Sequence, residues 1–259
     1  MKIYEPQGRA REYSPLALNY FRGCTHNCLY CYVPKMFVRY NVNYDHTHCV
    51  APEESGYLSL ENSAKKLQGC NKQILLSFTG DPYCGIETDC TTKVLQILNK
   101  HNHKVAILTK GGKRCLKDIE LFQQFGERIK VGATLTFDNE KDSLEWESGA
   151  ATPAERMEAL KILNKKGIKT WVSLEPVIVP EQALNLLTQV APYVDHVKIG
   201  KLNNYKGIDK DVDWSRFLED AVTLCRKLDL KFYIKKSLLE YNKGTYLRSE
   251  EIDEDYLNL

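Results

Sequence analysis

The sequence predicts an α/β fold, an incomplete (β/α)6 barrel of the TIM type with a parallel sheet and a cysteine-rich loop after its first strand. Two observations predict it. From residue 58 to residue 236, short apolar runs alternate with stretches of helical period, which is the pattern of repeated βα units. Residue types that carry chemistry fall just after the apolar runs, where barrels of this kind gather their active sites. The alternation gives about six βα units and a closing strand, short of the eight of a complete barrel. A doubly wound open sheet fits the same alternation. No G-x-G-x-x-G follows the first strand, so a dinucleotide site has little support.

Residues 1–16 are polar, with Gln7-Gly8-Arg9-Ala10-Arg11-Glu12, and read as an arm laid over the domain. The barrel domain spans 17–236, and 237–259 form a C-terminal tail that is acidic from Glu250 and expected to fray. Ala17–Phe21 is the first strand, with the cysteine loop directly at its end. Residues 41–57 read as a polar loop containing His46-Thr47-His48-Cys49; a solvated loop is expected there, with metal binding the alternative.

Ile74–Phe78 is an apolar strand ending in Thr79-Gly80-Asp81-Pro82, followed by a helix carrying Val94, Ile97, Leu98 and His101. Val105–Leu108 ends in Thr109-Lys110-Gly111-Gly112, and a helix runs through Leu116, Ile119 and Phe122. The next strand is Lys130–Thr136, and 137–151 read as a long acidic loop. Thr152 as N-cap, Pro153 at the first position and Glu155 as the capping-box partner start a helix that Gly167 stops. Met157, Leu160 and Leu163 form its apolar face. Lys169–Leu174 is a strand ending at Glu175-Pro176, a helix follows over Pro180–Val190, and Val194–Ile199 is a strand ending before Gly200-Lys201. Trp214, Phe217, Leu218, Ala221, Cys225 and Leu228 fall at helical spacing on a packed face. Leu230–Ile234 closes the sheet and ends in Lys235-Lys236.

At 259 residues, 43% hydrophobic and 27% charged, the chain has the composition of a globular domain with a full core. No segment approaches eighteen consecutive apolar residues, so no membrane span is expected. The first residues, Met1–Pro6, lack the apolar core of a signal peptide. Nine cysteines, three of them in one loop, argue against a secreted disulfide framework and for a reducing, cytoplasmic setting. A net charge of +2 is too small to argue for nucleic acid alone.

The strongest short signal is Arg22-Gly23-Cys24-Thr25-His26-Asn27-Cys28-Leu29-Tyr30-Cys31-Tyr32. Three cysteines at spacings of three and two intervening residues can converge on one metal centre and leave it without a fourth protein ligand. A structural zinc site closes with four ligands; a four-iron cluster on three thiolates keeps one iron open. A zinc knuckle completed by His26, Cys49 or His48, or three ordinary buried cysteines, are the alternatives. Zinc sites usually come as paired CxxC units, and the sequence holds no second pair.

Cys24-x3-Cys28-x2-Cys31 followed by Tyr32 resembles the radical S-adenosylmethionine (SAM) superfamily. The run from Arg11-Glu12-Tyr13-Ser14-Pro15 to Pro34 is similar to its branch related to spore photoproduct lyase, the DNA repair photolyase group. The resemblance implies a partial six-strand barrel, a 4Fe-4S cluster on Cys24, Cys28 and Cys31, and SAM chelated by its amino and carboxylate groups to the open iron. It implies an external electron donor such as flavodoxin or ferredoxin, reductive cleavage of the sulfonium, and a 5′-deoxyadenosyl radical.

Site residues follow from the same resemblance. Thr79-Gly80-Asp81 stands where the family binds the cofactor amino group; the family motif is usually Gly-Gly-Glu, and a plain turn fits the same residues. Lys110 is expected at the cofactor carboxylate. Thr134 and Thr136 are expected near the ribose and carboxylate, with one of the two directed into the barrel. Arg156, after a run resembling Glu-Pro-Gly-Ala-Pro, is expected to bind the carboxylate, with a surface pair as the alternative. Tyr30 and Tyr32 flank the last cysteine; the resemblance implies that the aromatic before that cysteine lies against the adenine, with plain packing around the cluster as the alternative, and Glu175 would bond the ribose or the substrate. The lyase's hydrogen-donating cysteine corresponds to Phe78 here, which puts photoproduct repair in doubt and leaves Cys84 as a candidate substitute.

Arg22, Lys110, Lys113, Arg114, Lys198, Lys201, Lys235 and Lys236 lie at or just past strand ends and suggest a basic rim for an anionic substrate, a nucleotide or DNA. The expected activity is hydrogen abstraction from a nucleobase or its attachment in DNA. A small-molecule or peptide substrate is the enzymatic alternative, and a non-catalytic iron–sulfur or zinc module the alternative of another class.

Overall fold

Seven parallel strands pair in strict chain order among the described residues, so each connection crosses over one face of a single sheet. They are β1 (Leu16–Leu18), β2 (Gln73–Leu76), β3 (Lys104–Thr109), β4 (Ile129–Thr134), β5 (Lys169–Val177), β6 (His196–Lys201) and β7 (Lys231–Ile234). The computed structural model describes residues 1–42, 45–85, 89–203, 205 and 211–259. The sheet is the partial barrel that the sequence predicts, with six crossovers and a closing strand. Strands sandwiched between helices and interior bury both faces, which is why β1, β2 and β4 are buried at every residue, polar Gln73, Lys130 and Thr134 included.

The crossover helices are α1 (Val33–Arg39), α2 (Glu54–Lys66), α3 (Cys90–Lys100), α4 (Ile119–Phe125), α5 (Glu140–Trp146), α6 (Pro153–Lys165), α7 (Pro180–Val190) and α8 (Trp214–Lys227). Their apolar stripes build two outer cores. One lies under α2, α3 and α4 around Leu76, Leu98 and Phe122; the other lies under α7 and α8 around Leu174, Leu187 and Leu218. Inside the barrel Trp171 fills the space, its indole donating to the Ile107 carbonyl at 3.0 Å. A side chain at position 132 would come within 2.5 Å of that indole, so only glycine fits on β4 there.

Several expectations are corrected. Residues 41–57 are not all loop, since α2 begins at Glu54, and α1 follows the cysteines. The 137–151 segment contains α5, capped by Asn139, which accepts from the Asp142 amide at 3.0 Å. At α6 Thr152 accepts from the Glu155 amide at 3.2 Å, but Glu155 turns its own carboxylate to the Lys113 amide, so the capping box is half formed. Strand β5 runs on through Glu175 and Pro176 to Val177.

Both termini are drawn into the barrel. The arm is not simply laid over it: Tyr4 bridges Ala17, Glu12 and Ser14 are fully buried, and Tyr13 packs against Phe78 and Trp171. The tail does not fray. A short helix α9 (Lys236–Leu239) and another, α10 (Ser249–Ile252), lead to residues that close the N-terminal ends of the strands. Lys130 near the start of β4 donates to the Leu257 carbonyl at 2.5 Å, Lys104 donates to the Leu259 carbonyl at 2.9 Å, and Gln73 accepts from the Leu259 amide at 3.2 Å. The tail's acidic residues have basic partners far away in sequence: Glu251 takes a two-point bond from Arg226, and Asp255 one from Arg11. Among the described residues no helix is long and apolar enough to cross a membrane.

Deleting residues 255–259 exposes apolar surface under Leu257 and strips buried Lys130 of its acceptor. Urea unfolding should show a loss of at least about 2 kcal/mol; an unchanged midpoint would show that the tail only lies on the surface.

Candidate active site

A cavity of about 560 Å³ opens at the C-terminal ends of the strands. Cys24, Cys28 and Cys31 line it together with Tyr30, Tyr32, Gly80, Asp81, Lys110, Thr134 and Glu175. The structure therefore brings together ten of the fourteen residues that the sequence nominates; Thr79, Cys84, Thr136 and Arg156 are outside the lining.

The cysteine loop is held by backbone contacts on two sides. On one side the Cys24 amide donates to the His46 carbonyl at 2.8 Å; on the other, the Leu29 amide donates to the Trp146 carbonyl at 2.9 Å and the Gly149 amide to the His26 carbonyl at 3.0 Å. The approach at Gly149 leaves no room for a side chain, because a Cβ would sit 2.0 Å from the Thr25 oxygen. All three cysteines are free and half-buried. Burial pushes the Cys28 thiol up to about 12 while Lys110 draws it back. The Cys24 thiol is pushed higher by a hydrogen bond with Cys84 and by burial, and burial also raises Cys31. Thiols so placed become thiolates by binding metal, which supplies the missing positive charge. Among the described residues no three His, Cys, Asp or Glu side chains are grouped to enclose a single ion. The soft three-sulfur donor set along an open cavity fits a cluster that keeps one iron free.

Lys110 directly follows β3 and lines the cavity, its ammonium 5.5 Å from the centre of the Tyr30 ring. Among the described residues it has no hydrogen-bond partner. Burial disfavours its charge, but Cys28 and Glu147 hold its pKa above the ordinary value despite Arg156. Such an ammonium is suited to a ligand carboxylate.

Asp81 is occupied differently. Its Oδ1 accepts from Thr109 Oγ1 at 2.5 Å and the Tyr83 amide at 2.8 Å, and its Oδ2 accepts from the Lys110 amide at 2.7 Å. The His26 ring lies 3.4 Å from the same Oδ2. Asp81 thus ties β2 to β3 and braces the cysteine loop. Gly80 matters for closeness, since a Cβ there would meet the Gly23 carbonyl at 2.7 Å.

Arg156 requires correction. It is buried, and its three donors go to the Ala151 carbonyl at 2.8 Å, the Thr134 carbonyl at 3.0 Å and Glu147 Oε2 at 2.6 Å. The carboxylate it binds belongs to its own chain. Burial works against the Glu147 charge, yet Arg156 and Lys110 hold its pKa below the usual carboxylate value. Tyr30 donates its hydroxyl to Glu147, and Thr136 does so at 2.9 Å. Positions two apart along a strand share a face, but β4 ends at Thr134, so Thr134 lines the cavity while Thr136 turns to Glu147.

Tyr32 is the more exposed of the two tyrosines and donates to the Phe78 carbonyl at 2.7 Å. On the far side of the cavity Glu175 accepts from Lys235 at 2.5 Å, from Asn203 at 3.2 Å and from the Tyr13 hydroxyl. Burial and Glu175 push the Tyr13 phenol well above its ordinary value, so it remains a donor.

Two further expectations change. Cys84 is 5% exposed, off the cavity and 3.2 Å from Cys49, so it does not face a substrate. The basic rim is interior in part: Lys198 and Lys235 are 1% exposed and Lys201 is 9% exposed. Lys198 donates to the Glu12 carbonyl at 2.5 Å, and burial with the nearby Lys235 lowers its pKa to about 7. Lys236 is exposed but pairs with Glu254 at 2.8 Å. Sequence reading missed Glu147, Tyr13 and Asn203 as parts of the site, and named His26 only as an alternative zinc ligand, not as a partner of Asp81. The signal for Glu147 was present, a carboxylate nine residues before an arginine across a capped helix start.

Replacing Glu147 with Gln leaves the Arg156 guanidinium buried without its counter-charge, and should cost about 3–5 kcal/mol at neutral pH. The Glu147 pKa is lowered on folding from its ordinary 4.5. Its contribution is therefore complete above that value and fades as pH falls through the folded value. Unfolding of the two proteins should converge in acid; a difference that persists unchanged there, or is absent at neutral pH, would contradict the pair's role.

The family model of the Radical SAM superfamily matches residues 18–187. An uncharacterized protein of Methanocaldococcus jannaschii is 26% identical over 236 residues, covering 82% of this chain and 86% of that protein. An uncharacterized protein of Acidianus two-tailed virus is 24% identical over 172 residues, 64% of this chain and 57% of that protein. Among solved structures, Streptococcus suis SuiB bound to S-adenosylmethionine superposes with a TM-score of 0.66 at 16% identity over 93% of this chain. This chain spans about half of SuiB, 55% of its length. Spore photoproduct lyase complexed with dinucleoside spore photoproduct superposes with a TM-score of 0.65 at 12% identity, over 89% of this chain and 78% of the lyase. The structural likeness is divided between these two branches and does not single out the lyase. With the family model matching the stretch that carries the three cysteines and strands β2 to β5, the chain belongs to the radical SAM superfamily.

Proposed function

We propose that the cavity holds a 4Fe-4S cluster on Cys24, Cys28 and Cys31 with SAM beside it, and that the enzyme abstracts a hydrogen atom from a small anionic substrate bearing a nucleobase. One observation carries the reading: three free thiols and the ammonium of Lys110 face one cavity at the C-terminal ends of a parallel barrel. When bound, the cluster passes an electron from an external donor to the SAM sulfonium and so supplies a 5′-deoxyadenosyl radical.

The chain's own residues bind and orient. Cys24, Cys28 and Cys31 would hold the cluster as thiolates, and with no fourth protein ligand the amino and carboxylate groups of SAM would have a place to bind. Lys110 takes a carboxylate oxygen through a charge-assisted bond. Gly80 and Thr134 bring polar backbone and a hydroxyl to the same wall. Phe78, Leu75 and Leu108 form an apolar floor that displaces water from the reacting atoms. Glu175, fixed by Lys235, Tyr13 and Asn203, is the acceptor for ribose or substrate hydroxyls.

The nucleobase reading draws on the lyase, whose complex contains a dinucleoside and of which this chain spans 78%. The interior placement of Lys198 and Lys235 favours a nucleotide-sized ligand over long nucleic acid. A peptide substrate is the second reading, drawn from SuiB, which has been seen bound to the precursor peptide SuiA.

Anaerobic reconstitution should load about four irons per chain and confer SAM binding. Joint replacement of Cys24, Cys28 and Cys31 with Ala should abolish both, and uptake of zinc alone by the native chain would overturn the cluster. Lys110→Ala should weaken SAM binding by about 1.5–3 kcal/mol with iron content intact; unchanged affinity would remove Lys110 from the site.

Substrate class is read from deuterium transfer into 5′-deoxyadenosine, using deuterated dinucleotides, DNA and peptides. Transfer from dinucleotides, with a shallow salt dependence, is expected. Transfer from peptides alone would replace the nucleobase reading with the second one.

A further inference from the structure

Six of the nine cysteines lie outside the Cys24, Cys28 and Cys31 set, and two of them meet. Cys49 Sγ and Cys84 Sγ are 3.2 Å apart across a separation of 35 residues, with no bond between them. The segment that carries Cys49 pairs with the backbone of Cys24, whose amide donates to the His46 carbonyl. One buried sulfur therefore meets a half-buried one on the segment that pairs with the cysteine loop.

The contact is built, not incidental to a loose loop. Residues 46–50 run antiparallel to 22–24: the Cys24 amide donates to the His46 carbonyl at 2.8 Å, and Arg22 and Val50 exchange backbone bonds at 3.3 and 2.8 Å. Asp45 fixes the turn before them by accepting from the Thr47 amide at 2.9 Å. On the other side Asp81 holds the Tyr83 amide at 2.8 Å and so sets the turn that presents Cys84. Both cysteines are delivered to the contact by hydrogen-bonded backbone. A disulfide needs the sulfurs at about 2.05 Å, an approach of roughly an ångström that side-chain rotation supplies.

We propose that Cys49 and Cys84 form a reversible disulfide, a redox site that takes up oxidising equivalents beside the cluster loop and leaves Cys24 reduced for iron. A low-molecular-weight disulfide such as oxidised glutathione is the oxidant. The half-buried Cys49 thiolate attacks it, forming a mixed disulfide and releasing one glutathione thiolate. Cys84 then attacks the Cys49 sulfur and expels the second. Two protein thiols become one disulfide, and one glutathione disulfide becomes two thiols. The Cys84 sulfur, once paired with Cys49, is no longer free to pair with Cys24.

The disulfide itself is independent of the cluster assignment; its consequence for iron rests on the cluster reading, and the two are separated by experiment. Iron-free protein is incubated with oxidised glutathione, free thiols are alkylated, and cross-linked peptides are mapped by mass spectrometry. The expected product links Cys49 to Cys84, keeps Cys24 alkylated, and returns to the dithiol on reduction. The Cys49→Ser variant, changed at a half-buried position that should not disturb folding, is expected to give a Cys24–Cys84 link and to take up severalfold less iron after the same treatment. A native chain in which Cys24 is cross-linked, or in which Cys49 and Cys84 are both alkylated after oxidation, would overturn the proposal. Mapping needs no iron, so a chain that never takes up a cluster still decides the disulfide.

Discussion

The buried ion pair between Arg156 and Glu147 is the constraint on which the site depends. Both side chains are closed to solvent, so neither charge survives without the other. Arg156 reaches from α6 to the carbonyl that ends β4, and Glu147 reaches from the end of α5 to Tyr30 in the cysteine loop. The pair therefore joins a barrel strand, a crossover and the loop that carries the three thiols. Its negative member also faces Lys110 and helps keep that ammonium charged. An arginine that the family pattern would assign to a ligand is here a brace for the pocket wall, while the Lys110 ammonium faces the cavity with no hydrogen-bond partner among the described residues.

A second constraint is how an open barrel closes. Seven strands leave a gap that the arm enters with Glu12, Tyr13 and Ser14, while the tail caps the strand starts. Interior lysines become tolerable because each finds backbone or carboxylate oxygen: Lys130 finds Leu257, Lys198 finds Glu12, and Lys235 finds Glu175. Glu12 and Glu175 share Lys235, at 3.8 and 2.5 Å. The arm is thus electrostatically tied to the carboxylate that faces the cavity, and it contributes Tyr13 to the same group. Closing the barrel and shaping the substrate side of the site are one arrangement.

Strands and crossovers were legible because parallel strands are apolar on both faces and stand out as uninterrupted runs; α7 has the bounds that its apolar period and Pro180 predict. The cysteine loop was legible from spacing alone. Lys198 and Lys235 were not, because a lysine within a strand reads the same whether its amine reaches solvent or a carbonyl inside. Arg156 was misassigned for a related reason: sequence shows a guanidinium near a rim and cannot show which carboxylate it meets. The tail looked frayed because its partners, Arg11, Arg226 and Lys130, are distant in the chain. Cys84 was noticed as a lone thiol, and its neighbour Cys49 came from a segment read as solvated.

The cluster proposed on Cys24, Cys28 and Cys31 would keep one iron open to the amino and carboxylate groups of SAM, with Lys110 at the carboxylate. The most direct measurement is electron–nuclear double resonance on the reduced, reconstituted protein mixed with SAM carrying nitrogen-15 in the amino group and carbon-13 in the carboxylate. The account predicts hyperfine coupling of both nuclei to the cluster spin, with the carboxylate coupling altered in Lys110→Ala. A cluster signal that shows no coupling to either nucleus would contradict it.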